Sequence, residues 1–405
     1  MRPSGPGSKR VAVITPWYPD AQVPYKGAFV QAKVEAAAPG CDEVAVYHLD
    51  GWPVGRGGPV PDEVDALHER ALPRSLRAVR TVADAALYRV PVLVPRVGDW
   101  AVHAEHHARW LRAALGGAPL DAPVVHAHVG ITAGWAALEN AAPDAAVYVT
   151  EHASFLPAVL EQPAAREVYG EVLRRCTRFF AVGDPIRDQL AELWPEHTGK
   201  VDYIANPISF AGRRPAPPAR LRKWLSVAAL SERKRVDFLI RAFAVCRRDD
   251  PELTLTLVGD GALRKRLEAL AAELGVAEAV AFAGAVDPRD IPAVMERHDL
   301  LVLSSAKETF GVVVVEALAA GIPVIATRCG GPERVLRGHE DDAGQLIDVE
   351  DSPESLVIAY KTLSERYPAG LDLERVREAM RRRYSYEAVA EAHHRVWFGP
   401  EEAAR

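Results

Sequence analysis

Apolar runs of strand length alternate with segments of helical period along almost the whole chain, and this alternation constrains the fold more than any other feature. In the first half the runs are Val11–Ile14, Val44–Tyr47, Val124–His126, Ala146–Val149 and Phe179–Val182. In the second half they are Lys223–Val227, Leu253–Val258, Val280–Phe282, Leu300–Leu303 and Pro323–Ala326. Several are continuously apolar, the pattern of strands covered on both faces. Helical patterns such as Val236–Arg247 and Leu263–Leu274 lie between them, and Gly275 stops the second. Strand and helix in turn predict parallel sheets with helices on both faces, an α/β fold.

At 405 residues the chain exceeds one ordinary core. The segment 213–223, RRPAPPARLRK, holds three prolines and five basic residues without periodicity and reads as a linker. The expected division is a Rossmann-like domain over 1–210, a linker over 211–223 and a second Rossmann-like domain over 224–384, with a helical tail over 385–405. Two doubly wound domains facing across a cleft would place ligands at the carboxyl ends of their strands.

A formal net charge of -6 supplies no basic footprint, so no nucleic-acid partner is expected. Cys41, Cys176, Cys246 and Cys329 are too scattered for a ligand pair or a disulfide framework and are expected to be reduced. The polar start, Met1–Arg10, runs directly into a strand, which leaves no room for a signal peptide, and no apolar run reaches the ~18 residues of a spanning helix. A cytoplasmic protein is expected, or one peripheral at the inner membrane face. Arg70, Arg74, Arg77 and Arg80 beside Leu72, Leu76, Val79 and Ala83 predict a basic amphipathic helix. A solvated face or a wall of the acceptor site is preferred to membrane docking for it.

The chemistry concentrates in the second half. A strand ending at Leu303 precedes Glu308-Thr-Phe310-Gly311-Val312, and a helix is predicted from near Phe310 to Gly321. Gly311 in its first turn would let a ligand approach the backbone, where free amides favour a phosphate. Glu316 lies about one and a half turns on, among Val, Ala and Leu, where a carboxylate is costly without donors. A ribose diol would supply two. Glu308 would reach the other end of the same ligand, among sugar hydroxyls. In the first half, His126-Ala-His128 and Thr150-Glu151-His152 each follow a strand. The histidine pair has a metal-binding spacing, but no third ligand is apparent and no metal is expected.

The second-half pattern resembles the E-x7-E motif of retaining GT-B glycosyltransferases, in particular glycosyltransferase family 4 (glycosyl transferases group 1). The resemblance continues through Leu230-Ser-Glu-Arg233-Lys234, Leu257-Val-Gly259-Asp-Gly261, Phe282-Ala-Gly284 and Cys329-Gly-Gly-Pro-Glu333. It implies that Lys234 holds the donor diphosphate, that Glu316 binds ribose, and that Glu308 with the backbone at Phe310, Gly311 and Val312 meets the transferred sugar. Gly259 and Val286 fall near the nucleotide, the base being read by backbone around Gly284–Val286. The family commonly has Gly-Arg where this chain has Ala228-Ala229, and Arg233 is the candidate replacement cation. The loop Pro16–Gly27 resembles the family's glycine loop near the donor phosphate. His152 matches an active-site histidine at the sugar, while His126 and His128 are candidate acceptor contacts. The last helix of such enzymes crosses back to the first domain.

What the resemblance implies is retaining transfer of a hexose or N-acetylhexosamine from a nucleotide-diphosphate sugar to a small-molecule, glycan or glycolipid hydroxyl. Uridine is the preferred base. The catalytic set is His152, Lys234 and Glu308, with no cofactor. The absence of any D-x-D tripeptide fits a metal-independent site. A non-catalytic nucleotide-sugar-binding protein and a sugar-nucleotide epimerase of the same fold are the alternatives.

Overall fold

A computed structural model describes residues 8–54, 62–96, 98–214, 216–349 and 352–399, with the side chains of 62 and 73–75 left aside. The start of the polar N-terminal segment and residues 400–405 of the expected final helix lie outside these. Contacts divide the chain into two units, Met1–Asn206 with Val389–Arg405, and Pro207–Ala388.

The first unit carries strands β1 (Arg10–Thr15), β2 (Glu43–Val54), β3 (Ala78–Arg80), β4 (Ala86–Pro95), β5 (Val124–His128), β6 (Ala146–Glu151), β7 (Arg178–Ala181) and β8 (Val201–Tyr203). They form one sheet in the order β3-β4-β2-β1-β5-β6-β7-β8, parallel throughout except that β3 runs against β4. Strand β5 is buried at every residue, because helices cover both faces and leave no polar side to the pleat. The order reverses between β1 and β5, so loops leaving these two strands at their carboxyl ends diverge and open a crevice.

The second unit carries β9 (Lys223–Val227), β10 (Thr254–Val258), β11 (Val280–Gly284), β12 (Leu300–Leu303), β13 (Val324–Thr327) and β14 (Gly344–Ile347). All are parallel, in the order β11-β10-β9-β12-β13-β14, with the reversal between β9 and β12. Its core packs Trp224, Leu255, Leu257, Leu300, Val302 and Ile325 against the apolar side of helix Val236–Asp249.

Three features differ from the sequence expectation. Strand β4 escapes the pattern because Pro91 and Pro95 interrupt it, and proline lacks the ladder donor. The structure tolerates them because β3 pairs only with Ala86–Tyr88, so both prolines lie beyond its reach, and His68 Nε2 contacts the Pro91 carbonyl at 2.8 Å instead. The four arginines do not share a helix. That helix, Asp62–Ser75, ends before Arg77, and Arg80 belongs to β3. A turn closes the β3–β4 hairpin through Thr81 N–H to Ala85 O at 3.0 Å, with Asp84 at φ 58°. The segment read as a linker is bonded into the second unit. Arg214 donates its backbone N–H to Ala320 O at 3.0 Å and pairs with Asp299 at 2.7 Å, and Leu221 is buried. Within the expected tail over 385–405 the described helix is Tyr386–Phe398, set off from helix Leu373–Tyr384 at Ser385, whose Oγ accepts from Ala388 N–H.

From Val389 onward the last helix belongs to the first unit. His394 Nε2 contacts Ala37 O at 2.7 Å, Tyr148 Oη donates to Val396 O at 3.0 Å, and Trp397 Nε1 donates to His126 Nδ1 at 3.0 Å. All four cysteines are free, and three are buried. No helix among the described residues is long and apolar enough to cross a membrane.

Candidate active site

In the second unit the loops after β9 and β12, which flank the reversal of strand order, are tied together. Ala306 N–H donates to Arg233 O at 2.8 Å. Ser304 Oγ lies 2.9 Å from Lys234 O and 3.1 Å from Arg235 O. These bonds hold Lys234 against Glu308, and the ammonium pairs with Glu308 Oε1 while each side chain is only 14% and 12% exposed. Glu308 is fixed from its other side, donating its N–H to Cys329 O at 2.8 Å and accepting from Gly331 N–H at 3.0 Å. Lys234 and Glu308, 74 residues apart, thus form one compensated pair.

Gly311 caps helix Val312–Ala320 at φ 86°, a left-handed conformation that costs a side chain dearly. Its turn leaves the first amides of the helix unspent. Close packing sets this turn: a Cβ at Gly331 would come 2.3 Å from the Phe310 carbonyl carbon. The Phe310 ring is buried edge-on against Tyr384 at 5.6 Å, so Phe310 offers a ligand its backbone rather than its ring. Glu316 is half-buried in the second turn, and no group among the described residues bonds its carboxylate. Burial pushes its carboxyl up to about 7.

Gly259 departs from its expected role. Its N–H is spent on Gly284 O at 2.8 Å, and a Cβ there would lie 2.0 Å from Ala228 O, so it packs β10 against the β9 loop. Val286 is half-buried after β11. Ala229 is exposed and brings no cation, while Arg233 is exposed with its guanidinium on Lys307 O at 3.3 Å. Ser304 and Glu333 went unassigned in the sequence. Glu333 accepts the Gly330 N–H at 2.9 Å, a contact signalled by a glutamate three residues past a helix cap.

In the first unit the equivalent loops follow β1, β5 and β6. Gly27 sits at φ 75°, and a Cβ there would lie 2.4 Å from the Trp17 carbonyl carbon, so the loop 16–27 closes only on glycine. Glu151, fully buried, gathers the loops: it accepts from Gly130 N–H at 2.9 Å, His152 N–H at 2.8 Å, Ala153 N–H at 2.7 Å and Tyr169 Oη at 2.9 Å. Burial pushes its carboxyl up against the pull of these donors. Its signal was a lone glutamate closing an apolar run. Val129, at φ 79°, is a strained β-branched residue at the end of β5.

Strand register places His128 opposite Thr150, and His128 Nδ1 lies 3.0 Å from His152 Nε2. His152 also packs on Phe29, ring centres 4.5 Å apart. Burial holds both histidines well below the usual range, and the neighbouring histidines and Lys33 reinforce this. His126 is corrected from an acceptor contact to an interior residue. Its Nδ1 takes the Trp397 proton and its Nε2 bonds Thr150 Oγ1 at 2.7 Å, so no polar atom is left. Since an indole only donates, His126 carries its proton on Nε2. Among the described residues no three His, Cys, Asp or Glu side chains are grouped as a metal site requires.

Residues 213–383 match the family Glycosyl transferases group 1. The chain is 35% identical over 161 residues to a glycogen synthase of Mycobacterium tuberculosis, covering 38% of each chain. It is 36% identical over 133 residues to a GDP-mannose-dependent alpha-(1-6)-phosphatidylinositol monomannoside mannosyltransferase of Mycolicibacterium smegmatis, covering 31% of this chain and 34% of that one. The matches thus span only about a third of the length of these curated relatives. The sucrose-phosphate synthase of Thermosynechococcus elongatus superimposes over 96% of this chain and 98% of its own, with a TM-score of 0.73 at 20% identity. The second unit therefore carries a glycosyl transferases group 1 domain, within a chain that has the GT-B fold of glycosyltransferases.

Proposed function

We propose that this protein transfers a hexose or N-acetylhexosamine from a nucleotide-diphosphate sugar, a uridine sugar by preference, to an acceptor hydroxyl with retention of configuration. The observation that carries the reading is the Lys234–Glu308 pair beside the Gly311 turn, with Glu316 unpartnered five residues beyond. One cation, a set of open amides and an isolated carboxylate match diphosphate, sugar and ribose in that order along the ligand. The name of one relative specifies GDP-mannose, which supports a nucleotide sugar as donor.

In this reading the acceptor hydroxyl attacks the anomeric carbon from the face that the diphosphate leaves. The departing phosphate oxygen takes the hydroxyl proton as the glycosidic C–O bond breaks. The residues supply position and charge rather than a nucleophile. Lys234 turns from Glu308 to the growing negative charge on the phosphate, which frees Glu308 for the sugar hydroxyls. No metal is required, because the ammonium and helix amides take the diphosphate charge. His152 of the first unit is assigned to the sugar by the family resemblance alone. The exposed Ala229 favours one second reading, a binding protein without turnover, since a leaving group with one fewer cation is harder to expel.

A thermal-shift screen of UDP and GDP sugars identifies the donor, because binding stabilises the folded chain by mass action. Turnover of that donor is then followed with EDTA and with added magnesium or manganese, and the product anomer is read by NMR. Equal rates and a retained anomer are expected. An inverted product or a metal requirement overturns the mechanism, and binding without hydrolysis or transfer selects the second reading.

A further inference from the structure

The bond between His128 Nδ1 and His152 Nε2, 3.0 Å long, forms only if one imidazole donates and the other accepts. It therefore depends on where the backbones leaving β5 and β6 lie, and Glu151 bonds to both of them. Its Oε1 accepts the His152 and Ala153 amides at 2.8 and 2.7 Å, and its Oε2 accepts the Gly130 N–H at 2.9 Å, two residues beyond His128. Tyr169, in helix Pro163–Arg175, donates to Oε2 at 2.9 Å and lays its ring against Gly130, where a Cβ would come 2.8 Å from it. Glu151 and Tyr169 are both fully buried.

The backbone that Glu151 holds is under strain. Val129, between His128 and Gly130, lies at φ 79° and ψ 113°, a conformation a β-branched residue keeps only when its surroundings impose it. Its N–H is held by Thr150 O at 2.8 Å and its carbonyl by Gly134 N–H at 2.9 Å, which closes a widened π turn over Gly130–Gly134. Such turns are rare and gather at functional sites. Gly130 N–H is the first amide past the strained residue, and the carboxyl takes it. Amides only donate, so the three backbone bonds need an oxygen on each arm of residue 151. A glutamine can keep its oxygen on the arm that takes two amides. Its NH2 then faces Gly130 N–H, and the bond that restrains Val129 is the one lost.

We propose that Glu151 is a positioning residue for the transfer step: it holds the Val129–Gly130 turn in place, so that His128 orients the ring of His152. This rests on the glycosyltransferase reading for the step itself, whereas the orientation of the rings does not. In the full chain labelled with 15N-histidine, His128 and His152 should each show one protonated and one bare ring nitrogen. In Glu151→Gln both rings should move to the averaged signals of free tautomers. The signals of His126, fixed by Trp397 and Thr150, should stay in place and show that the unit is folded. With UDP-glucose and GDP-mannose as probes, kcat for donor hydrolysis should fall about 100-fold in Glu151→Gln, the cost of a small misplacement. KM should stay within about two-fold, because the donor reading puts the nucleotide on the second unit. Tyr169→Phe keeps all three amide bonds and should lose only a few-fold in kcat. Should the glutamine variant unfold, Glu151→Asp keeps the charge, gives up the reach to Gly130 and should release the same two rings. Unmoved His128 and His152 signals in a folded variant, or a kcat no lower than that of Tyr169→Phe, overturns the proposal. Wild-type turnover of neither nucleotide sugar counts against the glycosyltransferase reading, and the imidazole spectra still decide what Glu151 holds.

Discussion

At the scale of single residues the proposed donor half-site turns on two side chains in opposite electrostatic states. Glu316 has no donor, so burial holds its proton up to a pH of about 7. A diol that donates two hydrogen bonds needs the ionised form. The ligand's own phosphate titration is common to both proteins, so the affinity advantage of wild type over Glu316→Gln should grow as pH rises through about 7. Glu316→Ala should weaken nucleoside diphosphate binding roughly 10- to 100-fold, the loss of one or two charge-assisted bonds. Calorimetry across pH 6 to 8 checks both, and unchanged affinity returns Glu316 to a solvated helix face. Lys234, by contrast, is already compensated by Glu308. Its contact with the diphosphate should therefore gain most as the leaving group charges. Lys234→Ala should lower kcat on the order of 100-fold, more than it raises KM, with partial rescue by Lys234→Arg. Arg233→Ala should change kcat little, because that guanidinium is exposed and spent on a carbonyl. If only the Arg233 variant fails, the phosphate cation has been misassigned.

At the scale of elements, long parallel strands and the helices after them were legible because burial on both faces writes itself as continuous apolar sequence. The stop of helix Val312–Ala320 at Gly321 follows from glycine, whereas Gly311, expected inside a first turn starting near Phe310, is instead the left-handed cap before it. Strand β4 was hidden by two prolines, which the sheet accommodates because β3 leaves that edge uncovered beyond Tyr88 while β2 alone runs beside Pro91 and Pro95. The arginine spacing of 70, 74, 77 and 80 is helical on paper. A hairpin turn at Thr81–Ala85 took the last of them into a strand, because non-local pairing with β4 outweighs a weak local period. The same limit applies to His126: its place after a strand was visible, but the Trp397 indole that occupies it comes from 271 residues away.

At the scale of the molecule, the first unit buries an unusual set of bases. His126, His128, His152 and His393 are held below the ordinary histidine range chiefly by burial, and Lys33, bonded to Ala205 O at 2.5 Å, is lowered to about 7. A base with a depressed folded value binds fewer protons folded than unfolded, so stability is lost as pH falls below the unfolded value. For histidine that begins near 6.5 and continues downward. For Lys33 the loss lies between 10.5 and about 7 and is complete by neutrality. Glu316 works the other way, because its raised value costs stability between 4.5 and about 7 and returns it on acidification. Glu316 lies in the second unit. In the first, His48 and His107 are lowered by burial as well, and among its described carboxyls burial raises Glu151. The histidines outweigh it, so unfolding of that unit should shift to lower temperature from pH 7 to pH 5. Each buried histidine contributes up to about 1.4 kcal/mol per pH unit. His393→Gln should flatten that dependence by about one proton, and calorimetry at several pH values would show it. A Tm of wild type that is flat across this range contradicts the burial of these rings.

The sequence by itself determined the α/β class, the glycine stop of helix Val312–Ala320 at Gly321 and the placing of Glu316 among apolar neighbours, because backbone period, glycine and side-chain composition are local signals. Tertiary structure alone decided that Lys234 and Glu308 are partners, that Gly259 and Phe310 serve packing, and that Glu151 rather than His126 organises the first unit's loops. Those outcomes depend on which strands lie side by side, and pairing between residues 74 apart is set by sheet topology, about which the local sequence carries no information.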